Sequence, residues 1–463
     1  MKSKRFLSVF LLIVLVMGLW VMPFASADGT DGTPTLPEDP YIQAKAALLI
    51  DANTGAVVYA KNEHQELYPA RLTKIMTALL TLEAVEEGRL SLDQELTATE
   101  SALSGLSADG SSANIKVGEI MSVEDLLYCM MVVSANEACD VLAEAVSGTV
   151  SAFVEAMNAK ARELGCENTH FVNPNGLHDS QHYTSAWDLY LITKAALAYD
   201  DFARISDTGD ITLPATNLSP ARALHSTNYL ISVWRSRGYI NKDAHGIKTG
   251  STSEAGHCLV SSAAKGSLSF ISVVLGCDRL TLEDGEIRTM SFYETNRLFK
   301  WGFDNFSYKS ILSANEYPKE VAVSLSKIDH VTVHPARDVE VLMPNGLAPE
   351  DLERTITLRS DPVEAPIAAG DKLGTIQLSY KGTVYASEDL LALNDVEASK
   401  LLSFWRDVKL FFAKPAVRIA GIVLAVLVVL VLLWKLIVGR RRYRYGRSVR
   451  SSSRQSYRGR RRR

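Results

Sequence analysis

The chain has 463 residues, with 47% hydrophobic and 22% charged side chains and a formal net charge of −4. On composition alone it is a protein of mixed α and β structure, and nothing outside its last 24 residues suggests a nucleic-acid partner. The spacing of its five cysteines and nine histidines matches no metal site, so neither a metal nor another cofactor is expected.

The N-terminal 27 residues have the three parts of a secretory signal. A basic start is followed by an apolar core, Phe6 to Val21, and then by the small residues Ala25-Ser26-Ala27. We expect cleavage before Asp28 and export of the chain. Residues 28–40 are rich in Gly, Pro, Thr and Asp, and we interpret them as a flexible spacer.

A first short motif occupies residues 68–74, Tyr-Pro-Ala-Arg-Leu-Thr-Lys. The apolar stretch Ile75 to Val85 and the stop at Gly88 predict a helix that begins near Leu72. Arg71 and Lys74 are therefore expected one helical turn apart on the same face, near the positive end of the helix.

Two further motifs lie downstream. Ser134-Ala135-Asn136 follows the apolar run Met130 to Val133, and Lys248-Thr249-Gly250 lies within His245 to Ser251.

Taken singly, each motif has a structural explanation. Arg71 and Lys74 would be surface cations, Ser134 and Asn136 would be helix caps, and residues 248–250 would be a strand end with a turn glycine. Only the ordered combination favours a functional ancestry for these residues, and it does not by itself indicate present catalysis.

Residues 309–395 contain short β-prone runs separated by Pro, Gly, Asn and Asp, which predict a small β-rich domain. The runs are Val321 to Leu325, Val331 to Val333, Val339 to Met343, Ile356 to Leu358, Leu373 to Leu378 and Val384 to Ala386. In residues 396–415, Leu401, Trp405 and Phe412 recur at helical spacing between charged residues, a pattern typical of a helix lying on a membrane surface.

The last two segments predict a membrane anchor. Within residues 416–438, the apolar run Ile419 to Val438 is long enough to span a bilayer, with Lys435 snorkelling near its edge; a buried core helix is the alternative. The tail, residues 439–463, contains 12 arginines and no acidic residue. We expect it to be cytoplasmic and to contact anionic membrane lipids, with nucleic-acid binding as the weaker alternative.

The five cysteines are Cys129, Cys139, Cys166, Cys258 and Cys277. An odd number in an exported chain leaves at least one of them free or paired between molecules. Buried thiols explain the first two, whereas Cys258 and Cys277 lie on a predicted hairpin around Gly266 and can face each other.

The three motifs resemble the S-x-x-K, S-x-N and K-T-G motifs of serine enzymes that open D-Ala-D-Ala peptides or β-lactam rings, except that Arg71 stands in the serine position. The surroundings match as well, in residues 46–55, 171–177 and 246–250. Together they resemble the low-molecular-mass penicillin-binding proteins, the serine-type D-alanyl-D-alanine carboxypeptidases of peptidase family S11. Ala365 to Asp371 extends the resemblance into the β-rich domain.

The resemblance implies an α+β fold for residues 41–308, with an antiparallel sheet flanked by helices and a helical subdomain, as in the serine β-lactamases. The β-rich domain and one C-terminal transmembrane helix would follow.

The resemblance also implies a role for each motif residue. Lys74 would be the general base, Ser134 would relay a proton to the leaving amine, and Asn136 would hold a substrate amide or Lys74 itself.

In the third motif, Lys248 and Thr249 would bind the terminal carboxylate of the peptide. Gly250 would let the strand approach the ligand. The backbone N–H of Ser251 would be an oxyanion donor, paired with that of position 71.

Arg71 cannot act as the nucleophile, because its guanidinium stays protonated and offers no lone pair. Its charge is also expected to disfavour the charged form of Lys74. Thr73 is the nearest hydroxyl, but it projects about 100° around the helix from Lys74, away from the expected site. Catalysis is therefore expected to be impaired.

Three functions remain open. The first is a carboxypeptidase that removes terminal D-Ala from peptidoglycan stem peptides, with catalysis impaired by Arg71. The second is a non-catalytic peptidoglycan-binding or scaffolding protein. A β-lactamase is the third and is disfavoured, because it needs the same nucleophile. The expected partners are stem peptides ending in D-Ala-D-Ala and membrane lipids, with β-lactams only if a nucleophile is present.

The two ends of the chain predict a single-pass topology. The mature protein should begin at or near Asp28, as N-terminal sequencing would show. Protease added to cells stripped of their wall should remove the globular part and leave the segment Arg440 to Arg463 protected, because a cytoplasmic tail is inaccessible from outside. Digestion of the tail while a cytoplasmic marker survives would contradict this topology.

Overall fold

The computed structural model describes residues 34–104, 110–234, 238–283 and 285–444. The predicted signal peptide, most of the predicted spacer and residues 445–463 of the tail lie outside this part. The described chain divides into two compact units, the first ending at Ile311 and including Glu340–Leu352, the second formed by Leu312–Val339 and the residues from Glu353 onward. Glu340–Leu352 therefore belongs to the first unit although it follows Leu312–Val339 in the chain.

The first unit contains most of the helices and the larger part of the strands. Its strands in chain order are β1 Ala46–Asp51, β2 Val57–Lys61, β3 Glu95–Thr97, β4 Ile120–Ser122, β5 Asp210–Leu213, β6 Arg222–His225, β7 Ala244–Thr252, β8 Gly256–Lys265, β9 Leu268–Cys277, β10 Arg279–Thr281, β11 Ile287–Thr289 and β12 Phe306–Leu312. Its helices are α1 Lys74–Glu86, α2 Glu100–Leu103, α3 Val123–Val132, α4 Asn136–Ser147, α5 Val150–Glu163, α6 Ala186–Ala196, α7 Asp200–Ser206 and α8 Met290–Asn305.

The central sheet of this unit has five antiparallel strands in the order β2-β1-β9-β8-β7, so β7 lies at an edge. Both faces of β1 are buried because its residues alternate between two cores. Leu48 and Ile50 face a core shared with α1 and α3–α7, whereas Ala47 and Leu49 pack with α8. The expected antiparallel sheet flanked by helices is confirmed.

Helix α1 is buried from Lys74 to Leu82, so it passes through the interior of the unit. The α-helix begins at Lys74, two residues later than predicted, because Ala70–Thr73 form a tighter 3-10 turn. Ala70 has a left-handed backbone with φ 49°, a conformation that apolar periodicity cannot reveal. Position 71 therefore lies in this turn and precedes the α-helix.

A loop at residues 173–177 packs against the 3-10 turn. Gly176 has φ +81°, and a β-carbon there would lie 2.0 Å from the carbonyl oxygen of Ala70. The loop can approach the turn this closely only with glycine at this position.

The second unit is rich in strands, as predicted. The remaining strands of the chain are β13 Lys319–Ser324, β14 His330–Pro335, β15 Val339–Pro344, β16 Glu353–Leu358, β17 Val363–Glu364, β18 Lys372–Tyr380 and β19 Thr383–Ala392. Six of them form one sheet in the order β16-β18-β19-β14-β13-β17, while β15 pairs with β12. Each predicted β-prone run overlaps a strand.

Two helices close the described chain: α9 Lys400–Ala413 and α10 Pro415–Arg444. The apolar residues predicted to face a membrane surface from α9, including Leu401, Trp405 and Phe412, are exposed. Within α10, Pro415–Ile437 is long and apolar enough to cross a membrane, with a mean hydropathy of 3.0 and no buried residue. These features are consistent with membrane anchoring.

All five cysteines are buried and free. The strand register places Cys277 opposite His257 instead of Cys258, because the β8–β9 pairing shifts between His257 and Leu259. The expectation that Cys258 and Cys277 can face each other is therefore wrong. A shift of one residue sends neighbouring side chains to opposite faces of a sheet, and alternation alone does not predict it.

We predict that Gly176→Ala destabilises the protein by about 3 kcal/mol or more, since it adds a steric clash to an unfavourable positive φ. The matched control is Gly88→Ala, where φ is +73° and no atom lies within 4 Å of the added carbon. Only backbone strain of about 1 kcal/mol is expected there. Thermal melting of the two variants measures the difference. Equal losses would contradict the packing of the loop against the turn.

Candidate active site

Arg71 lies where the 3-10 turn meets the edge strand β7. Its Nη1 donates a hydrogen bond of 2.5 Å to the backbone oxygen of Ser251. At Gly250 the two backbones are so close that a β-carbon would lie 3.0 Å from both the Arg71 nitrogen and the Pro69 oxygen. The missing side chain at Gly250 therefore eases the approach of the strand to the turn, a contact that the sequence did not predict; the expected role of Gly250 toward a ligand stays a prediction.

Lys74 is fully buried at the start of α1. Its Nζ donates hydrogen bonds of 2.7 Å to Oδ1 of Asn136 and to the backbone oxygen of Asn175. Burial, aided by the charge of Arg71, lowers the pKa of the Lys74 amine to about 8. The expected effect of Arg71 on this amine is therefore present, although burial is the larger cause.

The second motif lies where helix α3 gives way to α4. Ser134 is in the connection and has a left-handed backbone with φ 64°, whereas Asn136 is the first residue of α4. Neither caps the helix, because its N-cap residue is Ala135 and no side-chain cap is formed. Ser134 Oγ and Asn136 Nδ2 are buried and have no hydrogen-bond partner within the described part of the chain. The helix-cap alternative is therefore wrong for both.

Lys248 and Thr249 lie on β7. The buried Lys248 donates from Nζ to the backbone oxygen of Thr249 at 3.2 Å, and Thr249 Oγ1 lies 2.6 Å from Thr227 Oγ1. Burial and the neighbouring cations Lys74 and Arg71 lower the pKa of Lys248 well below its ordinary value. The strand-end explanation does not fit, because these residues are in the middle of a nine-residue strand.

The three motifs converge on one cleft of about 180 Å³ in the first unit. The predicted residues Arg71, Ser134, Thr249, Gly250 and Ser251 line it. Lys74, Asn136 and Lys248 do not line this cleft, but Lys74 is hydrogen-bonded to Asn136, and Lys248 precedes the lining residue Thr249. Residues that sequence reasoning missed also line it: Ser111, Thr227, Tyr229, His257, Cys258, Arg279, Thr289, Ser291 and Phe292.

Thr73, which carries the hydroxyl nearest to position 71 in the sequence, is hydrogen-bonded to His182, a histidine that the sequence did not single out. His182 Nδ1 accepts a hydrogen bond of 3.1 Å from the Val172 N–H, so His182 Nε2 carries the ring proton. It donates to Thr73 Oγ1 at 2.7 Å, and the Thr73 hydroxyl donates to the Ala70 oxygen at 2.8 Å. Burial lowers the pKa of His182 to about 4. A histidine donating in this way cannot accept the Thr73 proton, so the pair is structural.

Asn175 links Lys74 to a buried acid. Its Nδ2 donates a hydrogen bond of 3.2 Å to Oδ2 of Asp140, while its carbonyl accepts from Lys74. Burial raises the pKa of Asp140 to about 7. Asn175 lies in the 171–177 stretch that carried the resemblance, whereas no local pattern indicated Asp140.

The cleft is cationic. None of the ion pairs in the described residues involves Arg71, Lys74 or Lys248, whose hydrogen-bond acceptors are neutral oxygens. The same residues contain no cluster of three His, Cys, Asp or Glu side chains that could hold a metal ion. The site therefore favours an anionic ligand.

Comparison of the chain with known proteins identifies its family. Residues 33–279 match the family described as D-alanyl-D-alanine carboxypeptidase, peptidase S11, and residues 306–398 match the C-terminal domain of penicillin-binding protein 5. The chain is 32% identical over 406 residues to the D-alanyl-D-alanine carboxypeptidase DacF of Bacillus subtilis, a match that covers 87% of this chain and 97% of DacF. The chain belongs to the D-alanyl-D-alanine carboxypeptidase family.

Solved structures of the carboxypeptidase family have a fold similar to that of this chain. Penicillin-binding protein 5 from Haemophilus influenzae is similar with a TM-score of 0.61 and 31% identity, over 78% of this chain and 99% of that one. DacD from Francisella tularensis is similar with a TM-score of 0.63 and 26% identity, over 80% of this chain and 99% of that one. The family resemblance and the fold class inferred from the sequence are confirmed.

We predict that the full-length protein is not covalently labelled by a fluorescent penicillin, because acylation needs a hydroxyl at position 71. Gel fluorescence after incubation measures this, and labelling of an intact serine penicillin-binding protein in the same tube controls for the reagent. Stable label that maps to a serine or threonine of this chain, Thr73 included, would contradict the prediction.

Proposed function

We propose that this protein recognises peptidoglycan stem peptides of the D-Ala-D-Ala type in the cationic cleft, and that Arg71 strongly impairs their hydrolysis. One observation carries the proposal: the motifs of a carboxypeptidase converge on one cleft, but position 71 presents a guanidinium hydrogen-bonded to Ser251 where the reaction needs a hydroxyl. Loss of a serine nucleophile typically costs on the order of a millionfold in turnover.

In this proposal the other motif residues keep their roles in binding. Lys248 and Thr249 bind the terminal carboxylate, and the N–H groups of position 71 and Ser251 face the scissile carbonyl oxygen. Asn136 holds Lys74, which is positioned as a general base but has no hydroxyl to deprotonate.

A second candidate is a non-catalytic peptidoglycan-binding or scaffolding protein. The unpartnered buried groups of Ser134 and Asn136 favour it, since a bound peptide can satisfy them without any reaction. A β-lactamase would need the nucleophile that Arg71 replaces, so nothing in the cleft favours it.

The proposed location is the cell membrane. The first unit would lie outside the cell after signal cleavage, α10 would be the single span, and the Arg-rich tail would be cytoplasmic. The exposed apolar helix and the 12 arginines that follow it support this arrangement.

We predict that Arg71→Ser gains penicillin labelling and releases D-Ala from diacetyl-L-Lys-D-Ala-D-Ala, at a rate about a thousandfold or more above Arg71→Ala. The alanine variant is the matched control, because it removes the same charge and bulk without supplying a hydroxyl. The measurements are gel fluorescence and a D-Ala release assay.

The rate of the Arg71→Ser variant should rise with pH, because only the neutral Lys74 amine can accept the serine proton. The pKa of Lys74 is about 8 with Arg71 present, and loss of the Arg71 charge moves that pKa upward, so the rise should continue above pH 8. A folded Arg71→Ser protein that neither labels nor releases D-Ala would contradict the impaired-enzyme proposal and favour the scaffolding alternative.

A further inference from the structure

Arg71 changes the chemical group that fits beside position 71. In a carboxypeptidase site the scissile carbonyl lies next to the residue at this position. In an untrimmed stem peptide that carbonyl belongs to a neutral amide joining two D-Ala residues. Once the last D-Ala has been removed, the same carbon carries a terminal carboxylate. The two peptides therefore differ by one negative charge at the point where this chain places a guanidinium.

The guanidinium has unused donors for such a carboxylate. Arg71 is partly buried, and only its bond to the Ser251 oxygen is formed. Its Nε is buried without a hydrogen-bond partner in the described part of the chain, as are Ser134 Oγ and Asn136 Nδ2. A carboxylate has two acceptor oxygens, whereas an amide has one and also brings an N–H donor. The unpartnered arginine nitrogen favours the ligand with more acceptors.

The charge of the cleft also favours a carboxylate ligand. The charge of Arg71 contributes to the lowered pKa values of both Lys74 and Lys248, so the three side chains lie near one another, and none of them forms an ion pair with a described residue. A neutral amide leaves the Arg71 charge partly desolvated and unpaired, which is unfavourable. A carboxylate pairs with it in charge-assisted hydrogen bonds.

Space in the cleft also favours the shorter peptide. The Arg71 side chain lines the cleft together with Thr249, Gly250 and Ser251. Because the proposed function assigns the terminal carboxylate of an untrimmed peptide to Thr249, the last D-Ala of that peptide would extend on this side. Serine would leave that room open, but an arginine held by the Ser251 oxygen occupies part of it.

We propose that the cleft selects stem peptides that have already lost their terminal D-Ala, and that Arg71 is the specificity-determining residue. The inference rests on the proposed function, since it assumes that stem peptides bind in this cleft. The protein would then bind the product of the reaction that its relatives' names describe. A D-alanyl-D-alanine carboxypeptidase reaction must therefore supply its ligand.

Three small peptides test the proposal on the full-length protein in detergent micelles, with binding measured by isothermal titration calorimetry. Diacetyl-L-Lys-D-Ala represents the trimmed stem, its C-terminal amide removes only the charge, and diacetyl-L-Lys-D-Ala-D-Ala represents the untrimmed stem. We expect the trimmed peptide to bind about tenfold to a hundredfold more tightly than either of the other two, the usual effect of a charge-assisted bond in a partly buried site.

Two variants assign this preference to Arg71. Arg71→Gln should reduce the preference for the trimmed peptide to about threefold or less, whereas Arg71→Lys, which keeps the charge, should retain part of it. The matched control is Arg89→Gln, because Arg89 is exposed, pairs with Glu87 and does not line the cleft. Thermal melting confirms that each variant is folded, and the preference of the Arg71→Lys variant still tests the proposal if Arg71→Gln does not fold.

The outcomes separate this inference from the function on which it rests. If the untrimmed peptide or the amide binds as tightly as the trimmed peptide, the selection for trimmed stems is wrong and stem-peptide binding stands. If none of the three peptides binds the wild-type protein, the proposed function itself fails. A preference that survives in folded Arg71→Gln would overturn the role assigned to Arg71.

Discussion

The edge strand β7 and the turn that carries Arg71 touch backbone to backbone, and the rest of the site depends on that contact. A β-carbon at Gly250 would lie 3.0 Å from the Arg71 nitrogen and 3.2 Å from that of Leu72, so any other residue would have to push the two backbones slightly apart. On the other side of the turn, Gly176 brings the 173–177 loop against Ala70 in the same way. Because these contacts are made by backbone atoms, a new side chain at position 71 leaves the frame of the site in place.

Charge is the second constraint on the cleft. Arg71 lines it, Lys74 and Lys248 lie behind it, and none of the three has an ion-pair partner among the described residues; burial lowers the pKa values of both lysines. Neutral oxygens compensate part of the cost: Lys74 is held by Asn136 and Asn175, and Arg71 by the Ser251 carbonyl. Such dipoles stabilise a buried cation less than a carboxylate does, so Arg71 has no charged partner among the described side chains.

Much of this site could be predicted from the sequence, because its motifs are short, ordered and tied to residue types that the chemistry requires. The contacts between distant segments could not. Thr73 and His182 are 109 residues apart, and no local pattern links them or places Arg279 in the cleft. The left-handed backbone of Ala70 shifted the start of α1, and a β-bulge moved Cys277 opposite His257. Apolar periodicity carries no information on either feature, since both depend on backbone dihedral angles.

The reaction and the recognition of a peptide depend on different numbers of groups. Acyl transfer needs one hydroxyl at position 71, so we expect a single substitution to end it. In the proposed function, recognition is distributed over the backbone of β7, the hydroxyl of Thr249, the side chains at Ser134 and Asn136, and the buried Lys248. An apolar residue at position 71 would have ended the reaction and left the rest of the cleft unchanged. Arginine in addition supplies a charge and an unpartnered donor, Nε. A donor buried without an acceptor costs about 1–3 kcal/mol. In our proposal a ligand with a carboxylate at that point recovers this cost, which would link the loss of the nucleophile to a change in what the cleft binds.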